Sequence, residues 1–238
     1  DGPHSWLPYF LGDGGKATFH ITLYRGCSSL FEPDAQVIDK FATINATTEG
    51  GNFTVVGTRP VTTSRLDDVA ECPRPDYAKL DVQGSELAVL THGVETLSEA
   101  MVLEVEVEFV PIYKNQPLFG DIHTFLHARG WMMHKLVDVA GRSVRPFVHP
   151  NQFASVSQVL WADAVFVRGF TDLSAYSADQ LLKAAVVLHD VYCSYDLVNL
   201  FLTAHDQARG TALAEDYMQA IASADNLPRM YMSLKEAP

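Results

Sequence analysis

The residues best suited to chemistry lie in three adjoining stretches. The first, Tyr77-Ala78-Lys79-Leu80-Asp81-Val82-Gln83-Gly84-Ser85-Glu86-Leu87, ends a β-rich run at Asp81 and opens a helix a few residues later. Asp81, Gln83 and Glu86 then project near the carboxyl edge of a sheet, where α/β proteins bind ligands, and Gly84 permits a tight turn. A plainer reading stands beside this one: Asp81 and Ser85 serve as helix caps. The second stretch, Met101–Phe109, alternates strictly, with Glu104, Glu106 and Glu108 on one face and apolar residues on the other. By pattern alone that is a solvated acidic face. Yet the strand lies between two helical crossovers, where both faces of a sheet are covered, and buried carboxylates need partners or a task. The third stretch, Phe109–Pro117, offers Tyr113 and Gln116 beside apolar surface, which suits a pocket wall and equally an ordinary connection.

Other signatures are missing. The chain has no GxSxG elbow, Walker loop, HExxH or CxxC. His123 and His127 stand four apart on one helix, but without a carboxylate on the same face they read as solvated histidines, and no metal site is expected. Gly12-Asp13-Gly14-Gly15 precedes a β-like run rather than a helix, so a hairpin turn is preferred to a phosphate cradle.

These stretches need a scaffold, and the chain supplies it. With 238 residues, 47% hydrophobic and 19% charged, it has the apolar content for a real core. Strands are expected at Leu7–Leu11, Ala17–Tyr24, Phe53–Ser64, Tyr77–Val82, Met101–Phe109, Trp131–Val139 and Leu160–Arg168. Between Asp81 and Trp131 strand, helix, strand and helix alternate, with Gly93 and Gly130 as helix stops, which favours a mainly parallel sheet with helices on its faces. A boundary is placed near 170, dividing residues 1–170 from a helical extension, 171–238. Three amphipathic stripes mark that extension: Leu181, Ala185 and Leu188, then Leu197, Leu200, Phe201 and Ala204, then Leu213, Tyr217 and Ile221, with Gly210 as a stop. Packing on the parent domain is the ordinary use of such stripes, and a homodimer contact or a lid over the substrate are the alternatives.

A formal charge of −12 repels phosphate backbones and anionic lipid heads, so neither nucleic acid nor membrane is an expected partner. Cys27, Cys72 and Cys193 are too few and too widely spaced for a disulfide framework, which fits a reducing cytoplasm. No run approaches the roughly 18 apolar residues of a membrane span, and the opening Asp-Gly-Pro-His-Ser-Trp is not read as a signal peptide.

In their order, four segments resemble the FkbM family of S-adenosylmethionine-dependent methyltransferases: Gly26–Leu30, Thr62–Asp68, Lys79–Leu87 and Glu106–Tyr113. The third is the most specific, because the family pattern there is K-x-D-V-[E/Q]-G-x-E, and Asp81, Gln83, Gly84 and Glu86 all match. Gln116-Pro117-Leu118-Phe119 and the late strand Trp161–Phe166 extend the likeness from about Leu7 to Phe170.

The resemblance implies an α/β fold, a Rossmann-like methyltransferase sheet represented by its later strands, with the C-terminal helical extension added. The family's first strand–loop–helix, which holds the methionine part of the cofactor, and its second strand, which holds the ribose, find no match, so the chain is expected to lack an amino-terminal portion. The implied activity is methyl transfer from S-adenosylmethionine to a hydroxyl of a sugar or polyketide-like small molecule. Asp81 and Glu106 are the implied catalytic pair. Gly12, Asp13, Asp81, Val82 and Gln83 are the implied cofactor contacts, and Glu86, Phe109, Tyr113 and Gln116 the implied substrate contacts. The rival reading is a methyltransferase-like module that binds a glycan or partner protein without catalysis.

Overall fold

A computed structural model describes residues 4–47, 49–153 and 155–223. The chain forms two compact units that divide between Arg168 and Gly169. The last part of the expected helical extension, residues 224–238, lies outside the described residues.

In the first unit the order is β1 (Lys16–Thr22), α1 (Ala35–Ile38), β2 (Val55–Thr62), β3 (Tyr77–Leu80), α2 (Glu86–Thr91), β4 (Val102–Glu108), α3 (Phe119–His127), β5 (Trp131–Gly141) and β6 (Val159–Arg168). β1 and β2 form an antiparallel pair, and the other four strands form one sheet in the order β3-β4-β6-β5. The α/β class stands, but the mainly parallel pairing is corrected. Only β3 and β4 pair in parallel; β6 runs antiparallel to both β4 and β5. The cause is the connection 142–158, which contains no helix among its described residues. A parallel return needs a crossover of a dozen or more residues, usually helical, whereas strands joined without one pair antiparallel.

The expected strand at Leu7–Leu11 is also corrected. That segment contributes a single bridge, Leu11 to Ser64, with the Ser64 N–H on the Phe10 carbonyl at 2.7 Å and the Gly12 N–H on the Ser64 carbonyl at 2.9 Å. Pro8 has no N–H to donate, and beyond Ser64 the partner turns into a short 3-10 turn at Leu66–Asp68, so no ladder extends in either direction.

β4 positions the site. Leu103, Val105 and Val107 point into the main core with Leu90, Ile122, Leu126, Trp131 and Phe166. Period-two alternation sends Glu104, Glu106 and Glu108 to the opposite face. A second cluster contains Cys27, Ile38, Phe41, Ile44, Phe53, Ile112, Tyr113 and Leu160. Gly93 follows the end of α2, and an added Cβ there would stand 2.7 Å from Leu66 Cδ2, so glycine is needed for close packing.

The second unit contains a 3-10 turn at Leu173–Ala175 followed by α4 (Ala178–Asp190), α5 (Tyr195–Arg209) and α6 (Leu213–Ser223). Leu181, Ala184, Ala185 and Leu188 of α4 and Leu197, Val198, Phe201 and Leu202 of α5 are buried. Gly210, at φ +69°, ends α5 in the left-handed region. α4 opens with a capping box, in which Ser177 Oγ accepts from the Gln180 N–H at 3.2 Å and Gln180 Oε1 accepts from the Ser177 N–H at 3.0 Å. Ser177→Ala is expected to lower stability by about 1 kcal/mol, measured as a shift of the urea midpoint at unchanged slope.

Among the described residues no helix is long and apolar enough to cross a membrane.

Candidate active site

The loop between β3 and α2 is built on two consecutive left-handed residues, Gln83 (φ +55°) and Gly84 (φ +97°). Glycine suits the second position twice over, since a Cβ there would also stand 3.4 Å from Gln116 Nε2 and from the Tyr113 ring. Glu86 closes the loop from inside. It is 1% exposed, and its Oε1 accepts from the Val82 N–H at 2.8 Å and the Gly84 N–H at 3.3 Å. Burial, reinforced by the Glu108 charge, raises its pKa to about 8.

Gln83 is the hub. Its Nε2 donates to Asp81 Oδ1 at 2.9 Å and to Glu106 Oε2 at 2.6 Å. Tyr113 Oη stands 3.0 Å from both Gln83 Oε1 and the Cys27 carbonyl oxygen, two acceptors for one proton. The Gln83 carbonyl accepts from Ser29 Oγ at 2.5 Å, which ties the loop to the segment after β1. One side chain thus joins the ends of two parallel strands and the loop that follows β4.

The glutamate face of β4 is covered, so the solvated acidic face favoured by pattern alone is not what forms. Glu104 is 7% exposed and paired with Lys79, which also reaches Asp163 at 2.5 Å. Glu106 is partly buried, and its pKa is raised to about 9 by burial and then by the Asp81 and Glu108 charges. Glu108 is 3% exposed and raised to about 7 by burial, against which the adjacent Gln116 side chain pulls down. Even so, Glu108 Oε2 and Gln116 Nε2 complete no hydrogen bond.

Two cavities meet at this hub. A small one of about 200 Å³ is lined by Glu106, Glu108, Gln83, Tyr113, Arg142 and Trp161, with Cys27, Phe53, Asn52 and Tyr24 among the remaining walls. A larger one of about 460 Å³ is lined by Asp81, Val82, Gln83 and Ser85 on one side and by Phe10, Leu11, Phe19 and Leu30 on the other. Gln83 and Gly26 belong to both.

Of the residues expected from sequence, Asp81, Val82 and Gln83 therefore line the larger cavity, and Glu106, Tyr113 and Gln83 the smaller. Gln116 lies behind Tyr113, with Oε1 accepting the Tyr113 N–H at 2.6 Å. Four others sit elsewhere. Glu86 faces backbone amides and lines neither cavity. Phe109, just after β4, packs against the main core, its ring 5.5 Å from Phe119. Gly12 and Asp13 are part of the turn before β1, where Asp13 Oδ1 accepts from the Gly15 N–H at 2.8 Å and from Thr63 Oγ1 at 3.2 Å.

Residues missed as site members include Cys27, Glu108, Arg142 and Trp161. Arg142 follows β5; its Cζ lies 5.0 Å from the Trp161 ring, and Nη1 donates to the Gly141 carbonyl at 2.7 Å. Cys27 is buried, and burial pushes its thiol up to about 12, which marks it as a neutral wall rather than a nucleophile. For Glu108 the signal was present, since it shares the alternating face of Glu106. Cys27 and Trp161 lie in segments that carry the family resemblance, Gly26–Leu30 and Trp161–Phe166, but nothing in those segments marks these two side chains as cavity walls; for Arg142 there was no signal.

Among the described residues no group of three or more His, Cys, Asp and Glu stands close enough to hold a metal ion. His123 and His127 stack on each other at 5.8 Å, and the His123 ring lies 5.6 Å from Phe119.

A family model, the methyltransferase FkbM domain, matches residues 7–131, just over half of the chain, and covers both cavities' Asp81–Glu86 loop and the glutamate strand. Comparison with curated proteins and with solved structures finds no match. The loop at Asp81–Glu86 and the acidic strand beside it lie within the matched range, and the chain belongs to the FkbM methyltransferase domain family.

Proposed function

We propose that the first unit is an S-adenosylmethionine-dependent O-methyltransferase domain with a Rossmann-like sheet of which β3, β4, β6 and β5 are later strands, and that the second unit is a helical extension to it. The observation that carries the reading is the pair of cavities abutting at Gln83, one for a methyl donor and one for a small hydroxyl acceptor.

The larger cavity fits the donor by its chemistry. Phe10, Leu11, Phe19 and Leu30 offer apolar surface for a flat ring, Asp81 offers a carboxylate, and Ser85 Oγ is buried there without a hydrogen-bond partner. Asp81, Val82, Gln83 and Ser85 would hold the group. The chemistry supplied in that cavity is an electrophilic methyl group on a sulfonium sulfur.

This chain's own residues position the acceptor and manage its proton. Gln83 fixes the Asp81 and Glu106 carboxyl groups on either side of the seam, and Tyr113 fixes Gln83. Glu106 keeps its proton up to about pH 9, so it takes a proton from the acceptor only once a nearby positive charge has lowered that value.

Calorimetric titration of the full-length protein with S-adenosylhomocysteine tests the reading. Saturable binding is expected, weakened about tenfold by Asp81→Asn, which corresponds to about 1.4 kcal/mol. No binding would instead support the non-catalytic module.

A further inference from the structure

We propose that the small cavity takes a single-ring molecule bearing a primary ammonium group, and that the Glu108 carboxylate is the ammonium's docking point with Glu106 beside it. The proposal rests on the reading of this cavity as the acceptor side, and it narrows the acceptor to amino-substituted rings such as amino sugars.

The first ground is an unanswered carboxyl. Glu108 is 3% exposed and lines the cavity, and its Oε2 completes no hydrogen bond. A buried carboxyl in that state either keeps a proton or awaits a cationic donor. The second ground is the sign of its surroundings. The charged groups acting on Glu106 are Asp81, Glu108 and Glu86, and the one acting on Glu108 is Asp81, all acidic. Tyr113 and Cys27 beside them are neutral, each holding its proton because of burial.

Arg142 is the single Lys or Arg among the described lining residues, and it is committed elsewhere, to the Gly141 carbonyl and the Trp161 face. The cavity therefore has an acidic wall at Glu106 and Glu108 and one cation, Arg142, over the Trp161 ring. An anionic ligand is repelled at the first. A ring with an ammonium at Glu108 and oxygen acceptors toward Arg142 matches both.

The third ground separates an ammonium from a metal ion and from a larger cation. The carboxyl groups do not form a metal-binding cluster among the described residues. The walls include the aromatic rings of Tyr24, Phe53 and Trp161, surfaces that tolerate an organic cation. A volume of about 200 Å³ lies below the roughly 300–1,000 Å³ of pockets for drug-sized ligands, which leaves room for one ring.

Proton traffic gives the proposal a signature. An ammonium docked between Glu108 and Glu106 favours their ionised forms, so binding near neutral pH must release protons to the buffer.

The test is isothermal titration of the whole protein at neutral pH with D-glucosamine and with D-glucose, which puts a hydroxyl where the amine stands, each in two buffers of different ionisation enthalpy. Glucosamine is expected to bind at least about tenfold tighter than glucose and to release protons, and Glu108→Gln to remove most of that difference. Equal binding of the two sugars, binding of neither, or glucosamine binding without proton release overturns the proposal. If Glu108→Gln does not fold, the comparison of the two sugars on the unaltered protein decides alone. S-adenosylhomocysteine binding without glucosamine binding sinks this inference and leaves the enzyme reading standing; glucosamine binding without S-adenosylhomocysteine binding does the reverse.

Discussion

Glu106→Gln is expected to make the protein more stable at about pH 9 while leaving it nearly unchanged at about pH 5. Three carboxyl groups near the hub, Glu86, Glu106 and Glu108, have pKa values raised from 4.5 to about 8, 9 and 7, in each case with burial as the leading cause. In the unfolded chain all three lose their protons near the ordinary value. Between about pH 4.5 and 9 the native state therefore binds more protons than the unfolded state, and stability falls as pH rises through that window. A tenfold difference in proton affinity between the two states corresponds to about 1.4 kcal/mol. The three groups share one electrostatic environment, so their combined cost is on the order of several kcal/mol.

Glutamine keeps the shape of Glu106 and a carbonyl oxygen for Gln83 Nε2, and removes the charge. The expected gain is about 2 kcal/mol or more at the alkaline end, read as a rise in urea midpoint at pH 9 that is absent at pH 5. An unchanged or lowered midpoint at pH 9 would mean that the Glu106 charge is compensated in the folded protein.

Phe166→Ala is expected to cost about 3–5 kcal/mol. Phe166 is 0% exposed on β6, the strand held between β4 and β5, and it pairs there with Leu103 and Met133. Truncation removes a ring from the middle of the main core, where the neighbouring strands are fixed by hydrogen bonds on both sides and have little freedom to close the gap. Phe166→Leu retains most of the volume and should cost less than half as much. Equilibrium urea unfolding measures both; a loss under about 1 kcal/mol for the alanine variant would show that the core collapses around the hole.

The elements carrying the site were legible because their periodicities are strong. The alternation of Val102–Glu108 marks a strand, the apolar stripe at Ile122, Phe125 and Leu126 marks α3, and the Asp81–Glu86 pattern marks the turn that leads from β3 into α2. Strand direction was less legible. Direction depends on what connects two strands, and the stretch 142–158, with Pro146 and Pro150 and no apolar helical stripe, held the information that β5 and β6 form an antiparallel pair. Leu7–Leu11 has strand-like residues but only Ser64 as a partner, and partnership is a tertiary property that composition does not carry.

At the site, alternation placed the glutamates on one face correctly and could not tell water from a covered cavity, since the pattern is the same for both. The expected roles of Glu86 and Phe109 rested on their nearness in sequence to the site. Phe109 packs against the main core just after β4, and the inward rotation of α2's first residue gives Glu86 to the backbone of its own loop.

Gln83 has one further consequence. The same amide faces both cavities, so an occupant of either that draws on Nε2 or Oε1 alters what the other finds. Equilibrium linkage then requires the effect to be mutual: the factor by which one ligand changes the affinity of the other is identical in both directions. On the proposed reading the two cavities would be linked through this one side chain, and whether filling them is cooperative or antagonistic depends on whether both occupants ask for the same face of that amide.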